Sequence, residues 1–226
     1  MKFIQFSRIL LTFVVVFFIL SPAIQASDIE GDAWPEFDIW IGMDEENKNR
    51  IFILKSFTEE PNFEYQEEAT GLSWDQRFHE NWSWRAGIRY IGKQVNPPDQ
   101  SETRAVLDLK WFYPLEGDWL LTDRNSIDIR WFDGNDDSSF RYRNRIQLEK
   151  PFDVFDHTLT GFASFELYHD SRYNTTIQRQ RFIGGVSIPL VENKLSVDLF
   201  YGYHVESAPK KETGDAVGIA IGIYFY

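Results

Sequence analysis

The feature that most constrains the fold is an alternation of apolar and polar residues with a period of two. In FRYRNRIQLEK (140–150), arginines stand at every second position, at Arg141, Arg143 and Arg145. The alternate positions carry apolar and aromatic residues: Phe140, Tyr142, Ile146 and Leu148. Since successive side chains of a β-strand point to opposite faces, the stretch predicts a strand with one apolar and one charged face.

The same alternation recurs along the rest of the chain. Eleven segments carry it, at approximately 36–43, 50–58, 62–78, 82–93, 102–113, 119–133, 138–149, 158–170, 176–190, 194–206 and 214–226. The connectors between them alternate between tight turns such as VEN (191–193) and longer polar stretches such as ESAPKKETGD (206–215). EKPFDVFDH (149–157) does not fit this alternation. Short turns on one rim and longer loops on the other are typical of an outer-membrane barrel, with the short turns on the periplasmic side.

Aromatic content indicates which face of the sheet lies outside. Aromatic residues make up 17% of the chain, yet the mean hydropathy is −0.37. A barrel of about eight strands is already filled by ordinary side chains. A water-soluble barrel, with its apolar face inward, would therefore have no room for these rings. We therefore expect an all-β fold, a single antiparallel transmembrane β-barrel of about 10–12 strands with the apolar face outward.

The charged face then lines the lumen, where both signs are present and an unpaired charge costs several kcal/mol. This predicts a cross-lumen ion-pair network. Its members are Arg85, Arg89, Arg104, Asp108, Lys110, Arg124, Asp128, Arg130, Arg141, Arg143, Arg145, Glu149, Glu166, Arg179, Arg181 and Asp198.

Aromatic residues near the strand ends predict the two membrane boundaries. Trp82, Trp84 and Trp119 begin strands, and Trp111 and Trp131 lie near strand ends, as in aromatic girdles. The final strand, DAVGIAIGIYFY (215–226), resembles the C-terminal signal of outer-membrane barrels, although Tyr226 is out of phase with the apolar face. The partners we expect are outer-membrane lipids and the barrel assembly machinery, with the protein as a monomer.

The first 26 residues predict the compartment. Lys2 and Arg8 precede an apolar run from Ile9 to Leu20, followed by small residues up to Ala26, which is typical of a cleaved secretory signal peptide. Ala23 is an alternative cleavage position. We thus expect a signal peptide at 1–26, an N-terminal periplasmic segment at 27–35 and the barrel at 36–226, in the cell outer membrane. With both termini in the periplasm, the strand number must be even, so the eleven segments correspond to either ten or twelve strands.

Two stretches and the C-terminal hairpin resemble a known family. They are RYRNRIQLEKPF followed by TGFASFELYHD, and QRQRFIGGVSIPLVENKLSVDLFYGYHVE. They are similar to the bacterial outer-membrane barrels grouped as domain of unknown function 2490. The resemblance implies a barrel over most of residues 36–226 and implies no catalytic residue, because the family is uncharacterised.

Three classes of function remain open. They are a structural or narrow-channel barrel, a lipid-modifying enzyme (hydrolase or acyltransferase) and a surface ligand-binding barrel. An enzyme of this kind needs a base, and the candidates near the longer loops are His169 and His204, with no serine held beside either by strand geometry. The sequence predicts no catalytic residue, no metal site and no cofactor, and the net charge of −12 disfavours nucleic acid. We expect the first class, with low or no conductance.

Overall fold

The computed structural model describes residues 32–59, 65–95, 101–134, 138–155, 157–208 and 211–225. They form eleven β-strands, numbered in chain order. The strands are β1 Asp32–Gly42, β2 Asn49–Glu59, β3 Tyr65–His79, β4 Trp82–Val95, β5 Glu102–Pro114, β6 Leu120–Phe132, β7 Ser138–Val154, β8 His157–Asp170, β9 Arg179–Val191, β10 Leu195–Glu206 and β11 Glu212–Phe225. The all-β expectation is confirmed. In this part of the chain, no helix has the length and apolar character needed to cross a membrane.

The strands close into one barrel, in which each strand pairs with its neighbours in sequence and β1 pairs with β11. All the sequential pairs are antiparallel, whereas the closing pair is parallel, with Phe37 opposite Ile221 and Ile39 opposite Ile223. The expectation of a wholly antiparallel barrel with an even strand number is therefore wrong. Strand direction reverses at every turn, so an eleventh strand runs in the same direction as the first and must close on it in parallel.

This closure also places the start of the first strand and the end of the last strand at opposite rims of the barrel. β1 begins beside the start of β11 and ends beside its finish, so the first strand starts at the opposite rim from the one where the last strand stops. The expectation that both ends lie at one rim is wrong for the same reason. β1 includes residues 32–35, which the sequence predicts to be part of the N-terminal segment, while residues 27–31 and the expected signal peptide lie outside the described residues.

The connectors define two rims. One rim, here called the short-turn rim, carries connectors of two to six residues: 43–48, 80–81, 115–119, 155–156 and 192–194. The other, the long-loop rim, carries connectors of five to eight residues: 60–64, 96–101, 133–137, 171–178 and 207–211. The segment EKPFDVFDH, which did not fit the alternation of connectors, mostly belongs to β7 and β8, because β7 continues to Val154 and leaves a tight connector.

Turn chemistry explains several of the tight connectors. Gly117 and Asp118 both adopt positive φ, at 72° and 64°, and Asn47 and Asn193 do so in two other turns of the same rim. Gly, Asn and Asp tolerate this left-handed conformation, which tight hairpins with the natural twist of the sheet require. Phe155 also has positive φ, although it is bulky and almost fully exposed.

The two faces of the wall differ in polarity. Large apolar side chains of the outer face are exposed, among them Ile88, Leu72 and Leu107. Charged side chains of the inner face are buried, and Asp75, Glu102, Asp128 and Asp170 have no exposed surface. The barrel is therefore apolar on the outside and charged on the inside.

Aromatic residues gather at both ends of the outer face. Toward the short-turn rim, Trp82 stacks on Trp111 with 6.0 Å between ring centroids, and Tyr113 lies 5.3 Å from Trp111. Toward the long-loop rim, Trp131 and Tyr203 are exposed on the same face. Between these two belts, the exposed residues are mostly aliphatic.

Candidate functional site

A row of four cations and one carboxylate crosses the inner wall from β5 to β9. Lys110 stands opposite Arg124, Arg124 opposite Arg145, Arg145 opposite Glu166, and Glu166 opposite Arg181. Like charges directly opposite each other destabilise a sheet pair. The row thus places three cations side by side on β5, β6 and β7 and depends on neighbouring anions for its stability.

Glu166 is the main anion of this row, and its side chain is almost completely buried. Its Oε1 accepts a hydrogen bond from Arg124 at 2.8 Å, and its Oε2 accepts bonds from Arg145 at 2.8 Å and Arg181 at 2.6 Å. The Tyr168 hydroxyl also donates to Oε2 at 2.8 Å, and Arg143 lies 3.9 Å from Oε1. One carboxylate is therefore shared by guanidinium groups from three other strands.

A second cluster surrounds Asp75 on β3. Arg50 lies 2.5 Å from its Oδ1, while Arg85 and Lys110 lie 3.4 Å and 4.0 Å from its Oδ2. The Trp40 ring covers the same cations, with Arg50 and Arg85 at 4.5 Å and 4.8 Å from its centroid. Three cations again share one buried carboxylate, with an aromatic face providing cation–π attraction.

A third cluster lies toward the long-loop rim and contains two carboxylates and four arginines. Glu102 pairs with both Arg104 and Arg130. Asp170 pairs with Arg130, with Arg141 at 3.2 Å and with Arg172 of the 171–178 loop at 2.9 Å. Arg130 joins the two carboxylates and is itself buried.

The remaining members of the predicted network also face inward. Arg143 donates to Asp128 at 3.0 Å, and Asp108 accepts from the Ser126 hydroxyl at 2.5 Å. Arg179 pairs with Glu206 on β10. Four members are joined to no other charge within 4.0 Å in the part of the chain that the structure describes: Asp108, Arg89 opposite Arg104, Asp198 opposite Ser187, and Glu149, whose Oε1 accepts from Gln147.

Sequence reasoning missed several of the anions and cations that hold these clusters together, namely Asp75, Glu102, Asp170 and Arg50. Asp75 is in phase with Gly71 and Ser73, so the period-two pattern already placed it on the polar face. Glu102 and Asp170 stand at strand ends, where they read as loop residues. The arginines stand together on β7, whereas the carboxylates that pair with them lie on the two neighbouring strands, with Asp128 on β6 and Glu166 and Asp170 on β8.

Buried ion pairs add little net stability to a fold, but removing one partner of such a pair destabilises it strongly. Two charges lose their hydration when buried, and their attraction roughly compensates this loss, whereas removing one partner costs about 3–5 kcal/mol. The network is therefore expected to keep the strands in register and the lumen occupied by side chains.

Two cavities lie toward the short-turn rim. One, of about 200 Å³, is lined by Lys110, Arg124, Arg145, Thr122, Gln147 and Glu149 together with two apolar side chains. The other, of about 240 Å³, is lined by residues of β9, β10, β11 and the 192–194 turn. The first cavity touches the cationic row directly.

One polar cluster lies on the outer face, within the apolar band. Asp123 accepts hydrogen bonds from the side-chain amides of Asn125 at 3.2 Å and Asn144 at 2.6 Å, and the Tyr142 hydroxyl donates to Asn125. These side chains satisfy one another, so both carboxylate oxygens of Asp123 have donors.

The two histidines considered as bases contact backbone and aromatic groups. His169 contacts the carbonyl oxygen of Thr176 at 3.1 Å, and the Ser171 hydroxyl accepts from the Phe140 amide at 3.0 Å. His204 faces the lumen and stacks on Trp34 with 6.1 Å between centroids. Among the described residues, no group of three or more His, Cys, Asp or Glu side chains could hold a metal ion.

Comparison with known families matches most of the chain to a family model. The model of the family described as "Protein of unknown function (DUF2490)" matches residues 32–214, which covers most of the chain and begins at the first residue of β1. The comparison with curated proteins gave no match.

Proposed function

The chain belongs to the DUF2490 family, whose function is unknown, and we propose that it is an outer-membrane β-barrel whose lumen is closed by ion pairs. Its role would be structural or that of a narrow channel at most. The observation that carries the proposal is the reversed polarity of the wall, apolar outside and charged inside.

The outer face supports a lipid environment. A water-soluble barrel would bury its apolar face, whereas here Ile88 and Leu72 are 63% and 59% exposed. The strands have 11 to 17 residues, enough for the 9–11 residues with which a tilted strand crosses a bilayer. The aromatic belts at both ends correspond to the girdles of such barrels at the two membrane interfaces.

The inner face supports a closed lumen. Glu166 draws together arginines from β6, β7 and β9, and Asp75 draws together cations from β2, β4 and β5. Side chains held in this way occupy the space through which ions would pass. We therefore expect very low conductance and no large, stable open state.

The proposal includes an orientation and a route. The short-turn rim would face the periplasm, as in other outer-membrane barrels, and the long-loop rim would face outward. The start of β1 would then lie at the outer rim. Export through a cleaved signal peptide, insertion by the barrel assembly machinery and a monomeric state in outer-membrane lipid complete the proposal.

Location is tested by fractionating cells and by migration on a detergent gel. We expect the protein in the outer-membrane fraction and a change in its migration between unheated and boiled samples, because a folded barrel resists unfolding by detergent. Recovery as a soluble periplasmic monomer would contradict the proposal.

The closed lumen is tested by recording from the refolded protein in planar bilayers. Arg145→Ala removes a side chain from the centre of the row and should raise conductance, whereas Ile146→Ala, the adjacent change on the outer face, should not. A large stable pore in the unaltered protein would rule out the closed lumen.

A lipid-hydrolysis assay on the same preparation tests the enzymatic alternative. We expect no turnover of phospholipid. Turnover that is abolished by His169→Ala or His204→Ala would replace the structural role with an enzymatic one.

A further inference from the structure

The cavity of about 200 Å³ beside the cationic row lies between two clusters that each carry more cations than anions. Lys110 belongs to the Asp75 cluster, in which three cations share one carboxylate. Arg124 and Arg145 belong to the Glu166 cluster, in which three arginines donate to one carboxylate and a fourth, Arg143, lies 3.9 Å from it and pairs with Asp128. The cavity is therefore lined by cations from both clusters.

Two arginines that line the cavity each have one side-chain donor that is not paired within the described part of the protein. The Nε–H groups of Arg124 and Arg145 are buried and have no hydrogen-bond acceptor among the described residues. Lys110 lies 4.0 Å from Asp75, at the limit of an ion pair. Lys110, Arg124 and Arg145 stand directly opposite one another on β5, β6 and β7 and line this cavity, so an anion bound there would reduce their mutual repulsion.

We propose that this cavity binds a small tetrahedral oxyanion, with inorganic phosphate as its preferred ligand. Cationic donors form the strongest hydrogen bonds to phosphate oxygens, and the Thr122 hydroxyl and Gln147 amide add neutral donors on the same wall. The volume exceeds that of several water molecules at about 30 Å³ each, so an anion of this size fits with water.

Glu149 accounts for the preference for phosphate. This carboxylate also lines the cavity, where it would repel an anion that has no proton. Phosphate keeps at least one proton at neutral pH and can donate it to Glu149, whereas sulfate has none to donate. The site would therefore accept phosphate and disfavour sulfate, although the two ions have the same shape.

The ligand is free phosphate and not a lipid headgroup, because the cavity is lined by inward-facing residues and the barrel wall separates it from the outer surface. The inference depends only on the closed barrel and goes beyond the proposed function. Loss of phosphate binding would leave the membrane location and the closed lumen untouched.

The experiment is calorimetric titration of the refolded protein, in a zwitterionic detergent and phosphate-free buffer, with phosphate and with sulfate. Lys110→Gln should weaken phosphate binding about tenfold or more, since a lost charge-assisted hydrogen bond is worth roughly 1.5–3 kcal/mol and tenfold corresponds to about 1.4 kcal/mol. Arg50→Gln is the matched control, because Arg50 shares Asp75 with Lys110 and does not line the cavity. It should change phosphate affinity by less than about threefold, as a residue without ligand contact does.

Glu149→Gln should act in the opposite direction. Removing the carboxylate should raise sulfate affinity until it approaches that of phosphate, a gain that a misfolded protein could not produce. Absence of phosphate binding, equal losses in Lys110→Gln and Arg50→Gln, or unchanged sulfate affinity in Glu149→Gln would each overturn the inference. Binding of a short-chain phosphatidic acid without binding of inorganic phosphate would also overturn it, by assigning the site to a lipid headgroup.

Discussion

Arg145 on β7 donates to Glu166 on β8 at 2.8 Å, and the two residues stand directly opposite each other in the barrel wall. The same carboxylate binds Arg124 on β6 and Arg181 on β9. A single anion thus joins four consecutive strands through their side chains, in addition to their backbone hydrogen bonds.

Glu166→Gln should therefore destabilise the barrel severely. The change removes the negative charge and leaves the surrounding arginines without their shared partner, a situation that costs about 3–5 kcal/mol in buried pairs. The measurement is the free energy of unfolding in denaturant, with the protein refolded in micelles.

Glu149→Gln is the control for this prediction. Glu149 also faces inward, but its contact is with the neutral Gln147, so its loss should change the unfolding free energy by less than about 1 kcal/mol. Equal effects of the two changes would mean that the Glu166 cluster has no special role in stability.

The membrane proposal is tested by a charge on the outer face. Leu107 lies in the middle of β5 and is half exposed, so Leu107→Arg would cost little if this face met water. In a bilayer, the same change should cost roughly 2–4 kcal/mol near the midplane. Unfolding in phosphatidylcholine vesicles measures the difference.

Glu116→Arg serves as the comparison, because Glu116 is exposed in the 115–119 turn and remains in water in either case. The proposal requires a large cost for Leu107→Arg and a small one for Glu116→Arg. Two equally small costs would argue for a barrel surrounded by water.

The alternation of residues predicted most of this fold because the sequence of each strand, taken alone, indicates which residues lie on each face. In β7 the arginines and the aromatic residues separate cleanly, and the strand lies close to its predicted place. The closure could not be predicted in this way, since no local pattern in β1 specifies β11 as its parallel neighbour. The partners in the ion pairs could not be predicted for the same reason, because partners such as Asp75 and Lys110 lie on strands that are not adjacent.

The outer polar cluster shows a further limit of the pattern. Asp123 and Asn125 stand at outer positions of β6, where the alternation predicts apolar residues. They are accommodated because Asn144 on the neighbouring strand donates to Asp123. Only the register of β6 against β7, with Asn125 opposite Asn144, reveals this arrangement.

A pH-dependent contribution is expected from the turn between β1 and β2. Asp44 accepts hydrogen bonds from the Asn49 side chain at 2.7 Å and from the Lys48 amide at 2.9 Å. The bond from the Asn49 side chain, followed by that from the Lys48 amide, lowers the pKa of Asp44 below its usual value. A carboxyl group with a depressed pKa in the folded state stabilises the fold above its unfolded pKa, and this stabilisation is lost as the pH falls through the folded pKa.

Asp44→Asn should accordingly lower the denaturant midpoint at neutral pH, and the difference from the unaltered protein should vanish in acid. Parallel unfolding curves across this pH range provide the measurement. A difference that stays constant with pH would assign the effect to geometry and not to the charge of Asp44.

The parallel closure makes the most specific prediction. Ile39 on β1 stands opposite Ile223 on β11, and neighbouring strands lie about 4.8 Å apart, within the Cα separations of roughly 4.4–6.8 Å that a disulfide spans. The chain has no cysteine, so an introduced pair has no competitor. Ile39→Cys combined with Ile223→Cys should form an intrachain disulfide on mild oxidation of the folded protein, detected by mass spectrometry of the digested chain.

Ile39→Cys combined with Ile219→Cys is the matched control, because Ile219 lies on the same strand four residues away and pairs with Pro35. At about 3.3 Å per residue, this control separates the two sulfurs by roughly 13 Å along the strand and should not cross-link. Cross-linking of the control pair in place of the first would contradict the register, and cross-linking of neither would contradict the closure of β1 on β11.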